Sequence, residues 1–502
     1  MSWLYWYIKY KQTPRDPRKV VGNAMANMDS SVVDVYALNV IASPDDVARF
    51  IAYTIRNSLI TYDIWASIFS MPKANPDVLA SILDSPNLSA DQAASILNSA
   101  NILADRAASI LNSAGISADK AASILNSQNI LVDRAASILN SAGISADKAA
   151  SILNSANISV SNAVNILNFL PASRVHSILA SASIAGSRVQ SILYSVPFSD
   201  RLIDILTVTA PSVTLSANAT YKGVNRFRVL DLGGYTYTAD GQPHVIIAYQ
   251  LNIPSASQIV KTATGGAGGG GCTGGAGGGG LIIIASLINN AGVISAAGRK
   301  AEDFPYCTSN GAAGGGGVLG LLSGDSYTAV GGNGGPGTNI YAATGGGGPK
   351  GASYTNGCTS GPGGGLTTTT FTQNAIYKAA VDWYIVNVLG KSISATAFPN
   401  LYNAGGGSGC GYTATFTYIG GGGGGGGGEV IVMAVTLNNT GKISAAGGGG
   451  GLGSCGGSPN CVAYRGPSGA GGVIYVFYKT LQSLGTLDVS GNQSGLAKAV
   501  AI

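Results

Sequence analysis

Nine consecutive glycines, Gly420–Gly428, run directly into Glu429-Val-Ile-Val-Met-Ala-Val-Thr-Leu437, then Asn438-Asn-Thr-Gly441 and Lys442-Ile-Ser-Ala-Ala446. The same order occurs 149 residues earlier. Gly277–Gly280 lead into Leu281-Ile-Ile-Ile-Ala-Ser-Leu-Ile288, Asn289-Asn-Ala-Gly292 and Val293-Ile-Ser-Ala-Ala297. A looser third copy runs from Gly471-Gly-Val473-Ile-Tyr-Val-Phe-Tyr478 to Leu484-Gly-Thr-Leu-Asp-Val-Ser-Gly491. Each copy is a β-branched or aromatic run, a turn with glycine and a short alternating strand, which predicts a β-arch or hairpin. Three copies predict a layered β structure with the glycine runs held against it.

Composition narrows what surrounds these copies. Only 10 % of the 502 residues are charged, against about 25 % in ordinary soluble chains. No window offers the roughly 18 consecutive apolar residues of a membrane span. The polar surface must come from Ser, Thr, Asn, Tyr and bare glycine backbone. Such a surface suits an acidic or harsh exterior, where carboxylates would titrate; repetition alone would also produce it. Of the net +5, +4 falls in residues 1–20, so the body is close to neutral and no nucleic-acid-binding surface is expected. All six cysteines (Cys272, Cys307, Cys358, Cys410, Cys455, Cys461) lie in the glycine-rich part at spacings that match no zinc motif. They read as disulfide candidates of an oxidising exterior, with the pairing open. No secretion signal is visible at Met1–Lys9, and release within a virion would reconcile an exterior protein with that absence.

The N-terminal segment offers Trp3, Tyr5, Trp6, Tyr7 and Lys9 as attachment candidates, aromatic anchors beside basic residues. A first element buried at home reads equally well. Ser43-Pro-Asp-Asp46 is a well-formed helix start. From residue 66 an isoleucine recurs every 14 positions, at 68, 82, 96, 110, 124, 138, 152 and 166, mostly as Ser-Ile-Leu. Two heptads also make 14, but Gly, Pro and Asn-Ser recur inside each unit and would cut a coiled coil repeatedly. Each unit is therefore a helix of about nine residues with a Ser N-cap, and Gly or Asn is expected to stop it. One helix buries Ile, Leu and one or two Ala, worth about 3–6 kcal/mol. Ordering the unit costs on the order of 20 kcal/mol, so the units must stack as an α-solenoid. Residues 102–127 and 130–155 differ at one position in 26, Ala104 against Val132. The duplicated element is thus a 28-residue helix pair, and a shaft of adjustable length is the natural reading.

Beyond Pro211, Val213-Thr-Leu, Phe227-Arg-Val-Leu, Tyr235-Thr-Tyr and Val245-Ile-Ile-Ala-Tyr-Gln-Leu251 read as strands, and 67 of the 75 glycines follow residue 264. Thr372–Gly390 carries helical spacing between a Thr cap and a Gly stop. The organisation expected is multidomain, α then β. A virion-attachment region (1–65) and an α-helical repeat shaft (66–210) come first. A β connector (211–264) and a Gly-rich all-β head (265–502) with a helical insertion at 372–390 follow. Abundant glycine yields GxGxxG strings by chance, and strands rather than helices follow these runs, so no dinucleotide or phosphate loop is expected. His244 reads as a strand residue and His176 as surface decoration. Asp488 takes the place of Ser444 and Ser295 and should face outward. Glu302 and Asp303 are the only adjacent acids of the head, which leaves no carboxylate pair for hydrolysis. Neither an enzyme nor a cofactor is expected. The glycine runs read either as linkers or as packed polyglycine-II-like strands. Tyr306, Tyr327, Tyr341, Tyr354, Tyr402, Tyr412 and Tyr464 are candidate receptor-loop residues, suited to stacking on sugars.

On the Ser-Ile-Leu-Asn-Ser repeats of 68–206 and the β copies at 277–298, 425–447 and 471–491, the chain resembles glycine-rich viral tail-fibre and adhesin proteins. In overall plan it is most similar to the tail fibres of spindle-shaped viruses of hyperthermophilic archaea. The resemblance implies a virion structural protein outside the cell, anchored to other tail proteins by its N-terminus. It also implies host attachment, to a surface glycan or pilus, through a head with polyglycine-II packing, and it is compatible with a homo-oligomer. A secreted cell-surface adhesin or surface-layer protein is the alternative reading.

Overall fold

The computed structural model describes residues 43–58, 60–72, 74–262, 275, 277–300, 318–326, 367–399, 418–420, 424–450, 462–464, 468–491 and 494–502. The chain divides into two units. One comprises residues up to Pro197 with Ile385–Ile393, and the other Phe198–Tyr384 with Ser394–Ile502. A run of short helices is followed by a mostly parallel β-sheet that is nearly barrel-shaped.

Among the described residues the first unit holds α1 (Pro44–Arg56), α2 (Tyr62–Ser70), α3 (Pro76–Asp84), α4 (Ala90–Asn98), α5 (Ala104–Asn112) and α6 (Ala118–Leu125). Then come α7 (Val132–Asn140), α8 (Ala146–Asn154), α9 (Val160–Asn168), α10 (Ala172–Ala180) and α11 (Gly186–Ser195). Ser89, Ser117, Ser145 and Ser159 cap their helices by accepting from the backbone N–H three residues on. The stop differs from the expected one. Four helices end on a Ser in extended conformation (Ser99, Ser113, Ser141, Ser155), not on a left-handed Gly or Asn. Gly115 and Gly143 serve a close approach instead, because a Cβ there would lie 2.6 Å from the Asp77 carbonyl and 2.8 Å from that of Asp105. Each unit buries its Ala-Ala and Ile-Leu pairs and also the turn residue (Ile102, Ile116, Ile144).

Helices pack chiefly on the helix two further along the chain, and polar contacts follow the same step. Ser113 donates to Asp77 at 2.5 Å, Ser127 to Asp91 at 2.6 Å and Ser155 to Asp119 at 2.6 Å. The base in the first turn of one helix satisfies carbonyls left over at the end of the helix three before and in the turn that follows it. Arg134 bonds the Leu97 carbonyl at 2.9 Å and also that of Ile102. Lys148 bonds those of Ser113 at 3.2 Å and Ile116 at 2.6 Å. Burial holds the Arg134 and Lys148 pKa values below their ordinary ones. Arg134→Met should therefore cost about 2 kcal/mol in urea unfolding, since it orphans two carbonyls. Excising residues 102–129, one whole helix pair, should leave a folded protein whose far-ultraviolet dichroism per residue is preserved.

The second unit begins with α12 (Asp200–Thr207), then β1 (Ser212–Thr214), β2 (Ala219–Asp231), β3 (Thr236–Ile253) and β4 (Gln258–Lys261). There follow β5 (Gly280–Asn290), β6 (Val293–Ser295), β7 (Val318–Leu322), β8 (Thr367–Phe371) and α13 (Gln373–Asn387), whose last residues belong to the helical unit. Then come β9 (Tyr418–Gly420), β10 (Glu429–Asn439), β11 (Lys442–Ser444), β12 (Val462–Tyr464), β13 (Val473–Ser483), β14 (Thr486–Asp488) and β15 (Leu496–Ala501). Every pairing in the main sheet is parallel, so the three copies are arches stacked in register and not hairpins. Long strands β5, β10 and β13 form one layer, with Ile283, Val432 and Val476 in a ladder. Short strands β6, β11 and β14 form the facing layer, with Ile294, Ile443 and Leu487 in a ladder.

The stack extends further toward the N-terminus than the three copies. The second half of β3 pairs with β5 while its first half pairs with β4, which in turn pairs with β6. β2 pairs with β3 along both halves, shifting register between Lys222 and Val224. Gly223 (φ +67°) and Gly241 (φ +74°) stand where each strand passes from one layer to the other, a conformation that suits glycine. The strands of 211–264 thus share one sheet with those beyond it. Between the layers lie Ile246, Ile283, Val432, Val476, Ile259, Ile294 and Ile443. The outward residues Ile282, Ile284, Ile431, Met433, Tyr475 and Phe477 are buried as well. Part of that cover comes from α12, which packs on β3 and β5, and part from Phe371, edge-on to Tyr475 at 5.8 Å. Burial on both faces is why these strands read as unbroken apolar runs.

Candidate functional site

At the turn end of the arches an asparagine ladder closes the stack. Asn290 donates to Asn439 at 2.7 Å, and Asn439 in turn to the Leu484 carbonyl. The opposite end is built from glycine. Where the apolar side chains stop, the two layers come into direct backbone contact. Gly278 N–H donates to Gly426 at 2.8 Å and Gly427 N–H to Ala470 at 2.8 Å, both bonds running along the long-strand layer. Gly428 donates across to Ala296 at 2.8 Å and Gly472 to Ala445 at 2.7 Å. Gly425 donates to Arg299 at 3.0 Å, Gly448 to Gly425 at 2.6 Å, and Gly469 to Gly448 at 2.8 Å. A Cβ on Gly298 would lie 2.5 Å from the Gly426 carbonyl, and one on Gly448 would overlap the Arg299 carbonyl. Glycine is required here by contact.

Two long intervals of sequence begin and end at this end of the stack. Lys300 and Gly424 bound one, and Gly450 and Ser468 bound another. By sequence all seven candidate tyrosines fall in these intervals, six in the first and Tyr464 in the second. Tyr306, Tyr327, Tyr341, Tyr354, Tyr402 and Tyr412 lie outside the described residues. Tyr464 is placed by its backbone, in β12 opposite Gly420 of β9. The six cysteines and the attachment candidates Trp3, Tyr5, Trp6, Tyr7 and Lys9 also lie outside them. From within the first interval the turn after β7 is pinned to the stack. Tyr475 donates to Asp325 at 3.0 Å and accepts from Leu322 N–H at 3.1 Å, and Asp325 pairs with Lys498 at 2.7 Å. Lys498 and Tyr475 hold the Asp325 pKa below the usual carboxylate range against some burial.

Where the glycine end meets the arches of β2 to β4, polar side chains fill the space between layers. His244 is fully buried, with Nε2 at 3.1 Å from the Tyr237 hydroxyl and Nδ1 at 3.1 Å from the Asp240 carbonyl. Lys261, 1 % exposed, reaches the Thr262 carbonyl at 3.4 Å. Burial pushes the His244 pKa down to about 4, the Lys261 charge adding to the effect. Burial likewise lowers Lys261, and it raises Tyr237, which stacks on Tyr221 at 4.6 Å. Sequence reading placed His244 on a strand but missed this cluster, because Tyr237 and Lys261 meet it only across the layers. Asp488 lies opposite Ser444 and pairs with Lys442 at 2.6 Å. Asp382 is buried and accepts from both Thr396 N–H and its hydroxyl. Glu429 is buried in β10.

Among the described residues no group of His, Cys, Asp and Glu converges as a metal site, and no helix is long and apolar enough to cross a membrane. A shallow apolar hollow of about 390 Å³ lies between Ser323, Phe371, Ala375 and Pro399. No family model, curated protein or solved structure matches the chain.

Proposed function

We propose that the chain is an attachment fibre of a virion, in which an α-solenoid shaft carries a glycine-rich head that grips a host-surface glycan or pilus. The observation that carries this reading is the glycine end of the β unit, where chain stems are bonded backbone to backbone at the limits of the two sequence intervals that hold the candidate tyrosines. In this reading the glycine segments pack as polyglycine-II-like strands, which bond to several neighbours at once because no side chain intervenes. A lattice of that kind is neutral and stiff, and it leaves recognition to these intervals, where sequence can vary without touching the core. Stacked helix pairs supply reach, adjustable by whole pairs. The N-terminal aromatic and basic segment joins the fibre to other tail proteins.

Two outcomes test the proposal. Mass spectrometry of purified virions should find the chain, and its absence there would overturn the assignment. Labelled full-length protein should bind host cells, and replacing residues 327–366 by a short Gly-Ser bridge should reduce that binding at least tenfold. Unchanged binding would move adhesion away from these intervals.

A further inference from the structure

The helical unit contains a segment that is not one of its repeats. Ile385–Ile393 belongs to it although nearly two hundred residues of sequence separate it from α11. Within this segment Gly390 (φ +66°) turns the chain just after α13, and Lys391 N–H closes the turn on the Ile385 carbonyl at 3.0 Å. That turn aims Lys391 at the Ser181 and Ile184 carbonyls, 2.6 and 2.9 Å away.

The same pair of acceptors recurs through the array. Lys120 Nζ bonds the carbonyls of Ser85 at 3.2 Å and Leu88 at 2.6 Å. Lys148 takes the equivalent Ser113 and Ile116. In each case the acceptors are the helix-ending Ser and the apolar residue three further on, which is also the relation of Ser181 to Ile184. The neighbouring backbone fits as closely, since a Cβ on Gly186 would lie 2.9 Å from Ile393 Cγ2 and overlap the Ser392 carbonyl.

We propose that the Ser181/Ile184 carbonyl pair is a binding site for a single cation, and that Gly390–Ile393 occupies it as the C-terminal cap of the repeat array. Repeat arrays need atypical end elements, because the last unit otherwise presents unsatisfied groups. Here the cap enters from a distant part of the chain, carrying only the features the site reads: a cation and a short backbone stretch laid over Gly186. At the equivalent turns Arg134, Arg174 and Arg188 bond the corresponding Ile carbonyl together with the Leu carbonyl two residues before the helix-ending Ser, so the cap should tolerate either base.

Hydrogen exchange on the full chain tests this. Lys391→Met should speed amide exchange across residues 172–195 about tenfold while leaving 76–112 unchanged. Lys391→Arg should restore wild-type protection, and the control Lys378→Met should leave it intact. Equal protection in Lys391→Met and wild type would overturn the proposal. So would Lys391→Arg behaving like Lys391→Met, because the site would then not read a cation.

Discussion

Gly448→Ala should destabilise the β unit by more than about 3 kcal/mol, while Gly449→Ala, one residue on, should change it by less than about 0.5 kcal/mol. A Cβ on Gly448 would overlap the Arg299 carbonyl, and both atoms belong to backbone that is already bonded. Gly448 N–H donates to Gly425 and its carbonyl accepts from Gly469 N–H, so relieving the overlap breaks one bond or both. At Gly449 the nearest atom to a new Cβ is Lys300 Cγ, at 3.6 Å, an ordinary contact with a side chain that can move. Alanine there would also narrow the unfolded ensemble, a small gain. Urea unfolding of the two variants separates a packed glycine lattice from a linker. Equal midpoints would mean that these glycines are not in contact.

The second large effect is on pH. His244 titrates near 6.5 in the unfolded chain but at about 4 in the fold. Between those values the unfolded chain binds more protons, so stability must fall as pH drops from 6.5 to 4 and level off below. A shift of that size is worth about 3 kcal/mol, present in full above pH 6.5. Burial sets the direction, the bond to the Asp240 carbonyl opposes it, and the Lys261 charge adds to it. Tyr237 faces Nε2, Lys261 adds positive charge from the adjacent strand, and Asp240 bonds by its carbonyl while its carboxylate pairs with Lys222 at 3.2 Å. His244→Gln can still accept from Tyr237 and donate to Asp240. Its stability should therefore lose this slope between pH 6.5 and 4, as denaturant titration at pH 7, 5.5 and 4 would reveal. Parallel curves for wild type and variant would exclude His244 as the source.

Much of the fold was legible because it is periodic. A helix of nine residues cannot bury its stripe alone, so the Ser-Ile-Leu spacing by itself implies stacked helices. The 149-residue offset likewise made β5 and β10 equivalents, and they are paired in that register. Legibility failed where spacing or partners change. The arches of β2 and β3 escaped notice because Gly223 and Gly241 make their corners singly, without a glycine run to mark them. Nothing in the sequence around Lys391 looks like a repeat, since what the Ser181/Ile184 carbonyls read is one cation in the right place.

The sequence by itself determined the elements: where helices begin, which strands copy one another, and that glycine crowds one side of each copy. Local physics suffices for these, because caps, periodicity and β-branching act within a few residues. Only the tertiary structure decided that the arches stack in parallel, that His244 meets Tyr237, and that the glycines touch. Each of those depends on which backbone lies within 3 Å of another, and contact across layers leaves no trace in spacing along the chain. A glycine run before a strand is the same string whether it swings free or packs, and the neighbouring carbonyls distinguish the two.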